Sequence, residues 1–284
     1  MTRVLLDRYA GFCAGVRRTI RGAREAVTEK RVVSYGELIH NPDVTRELKR
    51  DGISVCPRLE DIKLSDFVII RAHGIPPDEE NFLKNRGISY LDLTCLRVKQ
   101  IHKRIKEKRE QGYRIIIVGD PDHPEVKGHL GYAGEAGAVL SSVQEAEFFG
   151  PDSEKMFVFA QTTTSTALYH DIIRILSGRG LNPDTLNTLC PFVLKRQEWI
   201  GKYSQLTAAS LVIGGKNSSN TKKLFEIAAQ NGTACWICGP GELDLEKILD
   251  FSSIAVTAGA STPDESISAV LRNLEAAGAG IELH

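Results

Sequence analysis

Cys13, Cys95 and Cys190 are each trailed by cations: Arg17 and Arg18, Arg97 and Lys99, Lys195 and Arg196. Each stands where a strand or turn gives way to a helix, and helix N-termini and cations lower a thiol pKa. Three thiolates are the ligand type of iron–sulfur clusters. Three rather than four leave one metal position open, which separates catalytic from structural sites. One cysteine per third of a chain is no motif, and a lone cytosolic cysteine is more often a small buried hydrophobe. Cys56 is read that way. Cys235-Trp236-Ile237-Cys238 has the C-x-x-C spacing of redox and zinc sites, yet the segment reads as a strand, where residues three apart face opposite sides. Buried core is the reading for that pair.

The polar residues supply a second chemistry. His40, His73 and His123 each end an apparent strand, and Ser218-Ser219-Asn220 and Ser261-Thr262 follow two others. One such histidine is ordinarily a hydrogen-bonded structural residue. Three at equivalent places, beside neutral hydroxyl and amide donors and helix starts, form a cradle suited to a phosphate. Simple helix capping by Ser or Asn accounts for the 218–220 stretch equally well. Glu125 follows His123 by two residues. It is either a surface carboxylate at a helix N-terminus or an acid facing a dry cavity, where desolvation would raise its pKa and suit it to donate protons. Thr162 and its neighbours Thr163 and Thr164 either place a hydroxyl beside that acid or cap a helix.

The elements that must position these residues follow a βαβ rhythm. Val32–Tyr35, Phe67–Ile70, Arg114–Val118, Met156–Phe159, Leu211–Ile213 and Ile254–Val256 are compact apolar runs of buried-strand type. Arg3–Leu6 and Tyr90–Leu93 are further short strands. Between the runs lie the helical patterns Asp43–Arg50, Val98–Gln111, Ala167–Leu176 and Thr221–Gln230. The alternation predicts an α/β fold with parallel sheets. Six runs lead into polar, often glycine-rich turns, and ligands in such sheets bind at the carboxyl ends of strands.

Each of the three cysteines precedes two strand–turn units, with a spacing of roughly 90 residues, far too long for a solenoid. The chain is therefore read as three small α/β units with parallel sheets around a pseudo-threefold axis: 1–95 with Cys13, 96–188 entered through Cys95, and 189–284 with Cys190. The three cysteines are expected to meet at that axis.

Of 284 residues, 42% are hydrophobic and 25% charged, and 36 Lys and Arg balance 36 Asp and Glu. That balance excludes a nucleic-acid footprint, which needs a basic surplus. The basic run Lys103–Arg109 is a solvated helix face or a dock for an acidic electron donor. Apolar runs stay short of the roughly 18 residues of a membrane span. The first, Val4–Leu6, is broken at once by Asp7 and Arg8, unlike a signal peptide. A cytoplasmic protein is expected, with thiols reduced and free for metal.

Over nearly its whole length the sequence resembles the 4-hydroxy-3-methylbut-2-enyl diphosphate reductases, the IspH or LytB family. The matching segments include Gly11-Phe12-Cys13-Ala14-Gly15-Val16, Ile39-His40-Asn41, Arg71-Ala72-His73-Gly74 and Thr94-Cys95. They continue with His123-Pro124-Glu125-Val126, Gln161-Thr162-Thr163, Cys190 with Arg196-Gln197-Glu198, Lys216-Asn217-Ser218-Ser219-Asn220, and Thr257 through Asp264. The resemblance implies a trefoil of three units around a central [4Fe–4S] cluster, held by Cys13, Cys95 and Cys190 with one iron open. It implies that His40, His73, His123, Ser218, Ser219, Asn220 and Ser261 hold a substrate diphosphate. It assigns Glu125 and Thr162, beside His123, to proton delivery and the substrate hydroxyl. The implied reaction is a two-electron, two-proton reductive dehydroxylation yielding isopentenyl and dimethylallyl diphosphate, fed by a ferredoxin or flavodoxin-type donor. Monomer and homodimer both fit the sequence.

Two departures lie beside the cysteines. The family's Thr-Cys-Pro becomes Thr94-Cys95-Leu96, with Arg97 next, and Cys-x-Ala-Thr becomes Cys190-Pro191-Phe192-Val193. Sites need sub-ångström placement, so these changes keep two alternatives in play. One is a related [4Fe–4S] reductase acting on another allylic or phosphorylated substrate. The other is a non-catalytic phosphate-ligand or metal-binding protein on the same fold.

Overall fold

The structure, a computed structural model, describes residues 1–27, 31–150 and 155–284. In chain order these form β1 (Arg3–Leu6), α1 (Ala14–Glu25), β2 (Val32–Tyr35), α2 (Pro42–Arg50), β3 (Ile53–Cys56), β4 (Phe67–Ile70), α3 (Pro77–Asn85), β5 (Ser89–Asp92) and α4 (Leu96–Glu110). Next come β6 (Arg114–Val118), α5 (Pro124–Ala133), β7 (Gly137–Leu140), α6 (Val143–Phe148), β8 (Met156–Ala160), α7 (Thr166–Gly178), β9 (Asp184–Leu186) and α8 (Pro191–Tyr203). The chain continues with β10 (Ala209–Ile213), α9 (Ser219–Asn231), β11 (Thr233–Ile237), α10 (Leu245–Leu249), β12 (Ser253–Ala258), α11 (Asp264–Ala276) and β13 (Gly280–Leu283).

The strands pair in parallel throughout and make three sheets, ordered β11-β10-β12-β1-β13, β3-β2-β4-β5 and β7-β6-β8-β9. The α/β reading with three parallel sheets is thus what the chain adopts. The central strands read as unbroken apolar runs because parallel sheets are covered on both faces. All five residues of β8 are buried, as are Ile115 to Val118 of β6. Edge strands β3 and β11 mix buried and open positions, and no residue of β5 is fully buried. Helix starts follow local chemistry. Pro77 and Pro124 sit in the first turns of α3 and α5, where a missing N–H costs nothing. Ser142, Ser165 and Ser218 cap α6, α7 and α9 through their side chains.

Two compact units divide the chain: Met1–Arg17 with Ile39–Glu47 and Pro191–His284, and Arg18–Leu38 with Leu48–Cys190. The first holds the five-stranded sheet. Val4, Leu211, Ile213 and Val256 pack one of its faces with Ile267, Val270 and Leu274 of α11. The intervening Leu5, Val212 and Ala255 pack the other with Trp199 and Ile200 of α8 and Leu224 and Ala228 of α9. That alternation is the two-residue period of a strand. Sequence order puts β1 in the first third, but its backbone is hydrogen-bonded between β12 and β13. Val4 and Leu5 point to opposite faces, and only an interior place covers both.

The second unit holds the two four-stranded sheets. Val33, Val68 and Ile70 pack with Leu83 of α3. Ile115, Ile117, Phe157 and Phe159 pack with Ile101 and Ile105 of α4 and with Val126 of α5.

Strand order repeats from sheet to sheet. In each, the chain runs from a central strand out to one edge, then returns to the other side of that same strand. The order reverses between β2 and β4, between β6 and β8, and between β10 and β12. A reversal leaves a crevice at the carboxyl ends, where ligands of α/β sheets bind. All six polar turns identified in the sequence follow these six strands. Among the described residues, no helix is long and apolar enough to cross a membrane.

Ile117 is fully buried in the core of sheet β7-β6-β8-β9. Ile117→Ala is expected to lower stability by about 2–5 kcal/mol, read as a lower urea midpoint with an unchanged m-value.

Candidate functional site

In the first unit, Cys13 lies between β1 and α1. Its N–H donates to Ala260 O at 3.2 Å and its Sγ accepts from Val16 N at 3.4 Å. The thiol therefore stands at a helix start with a backbone donor aimed at its sulfur. The loop that delivers it is clamped by Arg196 of α8, 3% exposed, whose Nε and Nη2 donate to Tyr9 O at 2.5 Å and Gly11 O at 2.6 Å. Arg17, one turn on, pairs with Asp264 through both terminal nitrogens, at 2.7 and 3.0 Å.

The cradle residues of this unit lie together. Ser261 Oγ donates to His40 O at 3.2 Å and is 3.4 Å from Ser218 Oγ. Asn41 Nδ2 donates to Ser261 O at 3.0 Å. Ser218 Oγ accepts from Thr221 N at 3.3 Å, so the capping role is real, and Ser219 begins α9. Asn220, 5% exposed, has no hydrogen-bond partner on either its Nδ2 or its Oδ1. A buried amide without partners is costly and fits a ligand that completes it. The backbone is packed tightly here: a Cβ on Gly259 would stand 2.0 Å from Thr221 Oγ1, and one on Gly215 2.7 Å from His40 O. Lys216 is turned elsewhere, its Nζ donating to Trp236 O at 2.6 Å. What the stretch offers a ligand is therefore neutral donors and the α9 N-terminus.

In the second unit, Cys95 caps α4 and its N–H donates to Ala72 O at 2.9 Å. Cys190 N donates to Thr162 O, also at 2.9 Å. The two cysteine loops meet where Arg97 Nη1 reaches Leu189 O at 3.4 Å. Thr188 welds the second loop to the end of β8, its Oγ1 accepting from Ala160 N and donating to Ala160 O. Cys95 and Cys190, like Cys13, are half-buried and in no disulfide. Cys56 is 7% exposed inside the hydrophobic core. Cys235 lies in β11 and packs against a core, and Cys238 follows the strand's end.

Glu125, 2% exposed, sits in the first turn of α5. One oxygen accepts from Thr162 N at 2.7 Å, the other from Thr162 Oγ at 2.7 Å. His129, one turn along the same helix and fully buried, places Nε2 3.4 Å from Glu125 Oε1. His123 caps the helix through Nδ1, which accepts from Glu125 N at 3.1 Å, and its ring meets His73 edge to face at 5.3 Å. Of the two sequence readings, Glu125 is the buried one. The expected rise in its pKa does not follow. Burial does push it up, but His129, the His123 imidazole and the Thr162 N–H outweigh that and hold it down at about 2. Thr162 supplies the hydroxyl. Thr164 is spent on Val118 O, and Thr163 accepts from the Gln161 amide.

Sequence reasoning passed over His129 and His102. The signals were the i, i+4 spacing from Glu125 and a histidine inside the buried Val98, Ile101, Ile105 stripe of α4.

The family model described as LytB protein matches residues 4–275. Proteins named 4-hydroxy-3-methylbut-2-enyl diphosphate reductase are similar to the chain. One from Thermoanaerobacter sp. (strain X514) is 38% identical over 278 residues, 96% of each chain. Another, from Aquifex aeolicus (strain VF5), is 33% identical over 280 residues, 97% of this chain and 96% of the relative. The solved E-1-hydroxy-2-methyl-but-2-enyl-4-diphosphate reductase from Plasmodium falciparum superposes with a TM-score of 0.94 at 25% identity, covering all of this chain and 92% of that one. A solved (E)-4-hydroxy-3-methyl-but-2-enyl diphosphate reductase, described as the terminal enzyme of the non-mevalonate pathway, gives 0.70 at 32% identity, over 97% of this chain and all of the other.

Because Asn220 has no internal partner, Asn220→Ala is expected to leave the melting temperature of the ligand-free protein nearly unchanged. Calorimetry should show weaker binding of inorganic diphosphate by roughly 10- to 150-fold, the worth of one hydrogen bond to a charged group. Glu125→Gln tests the lowered pKa. A carboxylate held below its unfolded value stabilises above that value and loses its contribution as pH falls toward the folded one. The melting-temperature gap between the native protein and Glu125→Gln should therefore narrow between pH 5 and pH 3.

Proposed function

The chain belongs to the LytB family, and on that footing we propose that it is a 4-hydroxy-3-methylbut-2-enyl diphosphate reductase, an oxidoreductase of isoprenoid precursor synthesis. It takes two electrons and two protons per substrate. The allylic C–O bond breaks, the oxygen leaves as water, and the allyl fragment becomes isopentenyl or dimethylallyl diphosphate. Electrons come from a ferredoxin or flavodoxin-type donor in the cytoplasm, where the thiols stay reduced. The observation that carries the reading is the buried Glu125, with both carboxylate oxygens held by one threonine.

The donor chemistry fits the cofactor the family implies. Cys13, Cys95 and Cys190 are half-buried, in no disulfide and placed at helix starts, unlike the core residue Cys56. These three thiolates would hold a [4Fe–4S] cluster, which would supply the electrons and a Lewis-acid position for the substrate oxygen.

The remaining work falls to side chains. Asn220, Ser218, Ser219 and Ser261, with His40, His73 and His123, hold the diphosphate. That group is remote from the bond that breaks, so its binding energy orients the reacting carbon. Thr162 and Glu125 move the proton. With Glu125 protonated, the Thr162 hydroxyl is released to hand its proton to the leaving oxygen and takes the carboxyl proton in return. The oxygen then departs as water rather than hydroxide. Glu125 rests as an anion at neutral pH, so it must be loaded from a neighbour in every turnover.

An anaerobic absorbance spectrum with iron and sulfide counts tests the reading. A brown protein with about four irons and four sulfides, whose spectrum shifts on adding 4-hydroxy-3-methylbut-2-enyl diphosphate, is expected. A colourless protein holding zinc and no sulfide would overturn it. In the loaded enzyme, Glu125→Gln should cut turnover by about 100- to 10,000-fold, the usual worth of a positioned acid, with the substrate-induced spectral shift retained.

A further inference from the structure

Glu125 is sealed from solvent, yet it has a route outward. His129 Nε2 approaches its Oε1 at 3.4 Å, while His129 Nδ1 is buried with no hydrogen-bond partner. Next to it lies the ring of His102, edge to face at 5.2 Å between centroids. His102 Nε2 is buried and also lacks a partner. The His102 ring stacks on Tyr132 at 4.1 Å and lines a pocket of about 310 Å³ that opens to solvent. Two adjacent imidazoles with unused ring nitrogens are an uncommon thing to bury, because each unpaired polar atom costs stability. Packing alone does not call for His129 Nδ1 or His102 Nε2, since Phe159 fills the same core beside His129 with carbon.

We propose that His102 and His129 conduct protons from this pocket to Glu125. The inference rests on the reductase reading above. A proton from pocket water binds a nitrogen of His102, and the ring releases the proton on its other nitrogen toward His129. His129 repeats the exchange and protonates the Glu125 carboxylate. Each transfer makes one N–H or O–H bond and breaks another. No electron moves along the route, and one proton enters for each one Glu125 gives up through Thr162.

The surroundings suit transit rather than storage. Burial, with the neighbouring His129 next, pushes the His102 pKa down to about 3, so its resting imidazole is neutral and passes a proton on. At the pocket, Asp92 from β5 pairs with Lys99 at 2.5 Å, and Glu80 from α3 accepts from Tyr90 OH at 2.8 Å. These carboxylates attract protons to the mouth, while Lys103 and Lys106 line it with them and temper that pull. Around His129 the titratable groups are Glu125 and His102, with Phe159 closing the remaining side. The relay residues are positioning and proton-carrying groups that never touch the substrate.

The experiment uses cluster-loaded enzyme, a small chemical reductant and the family diphosphate. Turnover by the native chain comes first, and its absence would sink the reductase reading alone. Given turnover, His129→Gln and His102→Ala are expected to lower kcat by roughly 100-fold at pH 8, the low end for a positioned proton-transfer group. KM and the substrate-induced spectral shift should stay unchanged. The loss should shrink as pH falls to 6, and added imidazole should restore His102→Ala several-fold by entering the vacated space beside the pocket. His102→Phe, which keeps the ring volume, should show the same loss and no rescue, and it serves if either other variant fails to fold. Native kcat in the variants would overturn the relay. So would a loss that neither lower pH nor imidazole relieves, since that is the mark of a merely structural role.

Discussion

Thr162 ties Glu125 to the loop of Cys190. Its N–H and Oγ–H hold the two oxygens of Glu125, each at 2.7 Å, and its carbonyl accepts from Cys190 N at 2.9 Å. A carboxylate as buried as Glu125 survives as an anion only with such partners. The same threonine thereby fixes the start of α5, the turn after β8 and the approach to a cysteine. Movement of any one is felt by the other two. The residues beside it have been given over to rigidity: Gln161 Oε1 accepts from Asp120 N, and Thr164 Oγ1 donates to Val118 O.

The central strands were legible because burial on both faces writes itself as an unbroken apolar run. β2, β4 and β6 coincide with the runs read from sequence, and β8, β10 and β12 extend theirs by one to three residues. The edge strands β3, β7, β9 and β13 escaped notice because one side faces open positions and their composition is mixed. β1 was visible as a strand, but no local signal says which distant strands flank it. In the site, residue types at strand ends were enough to nominate Glu125, Thr162, the serines and Asn220. The sign of the Glu125 pKa was not readable, because it depends on His129 and on a hydrogen bond from a residue 37 positions away.

The two departures beside the cysteines have local accounts. Leu96 occupies the first position of α4, where proline is favoured but not required. It is 61% exposed, and Cys95 keeps its backbone bond to Ala72. Arg97, which follows, reaches the carbonyl before Cys190 and so ties the two loops together. Beyond Cys190, Phe192 is half exposed while Val193 is 3% exposed in α8. The helix thus presents its larger side chain outward and the smaller one to the core. Phe192 also lends its carbonyl to Arg196, the residue that clamps the Cys13 loop.

The interior position of β1 has a consequence for how the protein is made. Its backbone pairs with β12 on one side and β13 on the other, and Arg3 bonds Glu282 across 279 positions of chain. β1 therefore waits for β12 and β13, on the order of tens of seconds at ordinary elongation rates. During that interval Val4 and Leu5 have no sheet to enter, and the loop bearing Cys13 has no Ala260 carbonyl to bind. The two four-stranded sheets contain only strands from within residues 32–186 and can form while synthesis continues. The loops bearing Cys95 and Cys190 would thus be in place before the loop bearing Cys13, in an order set by topology.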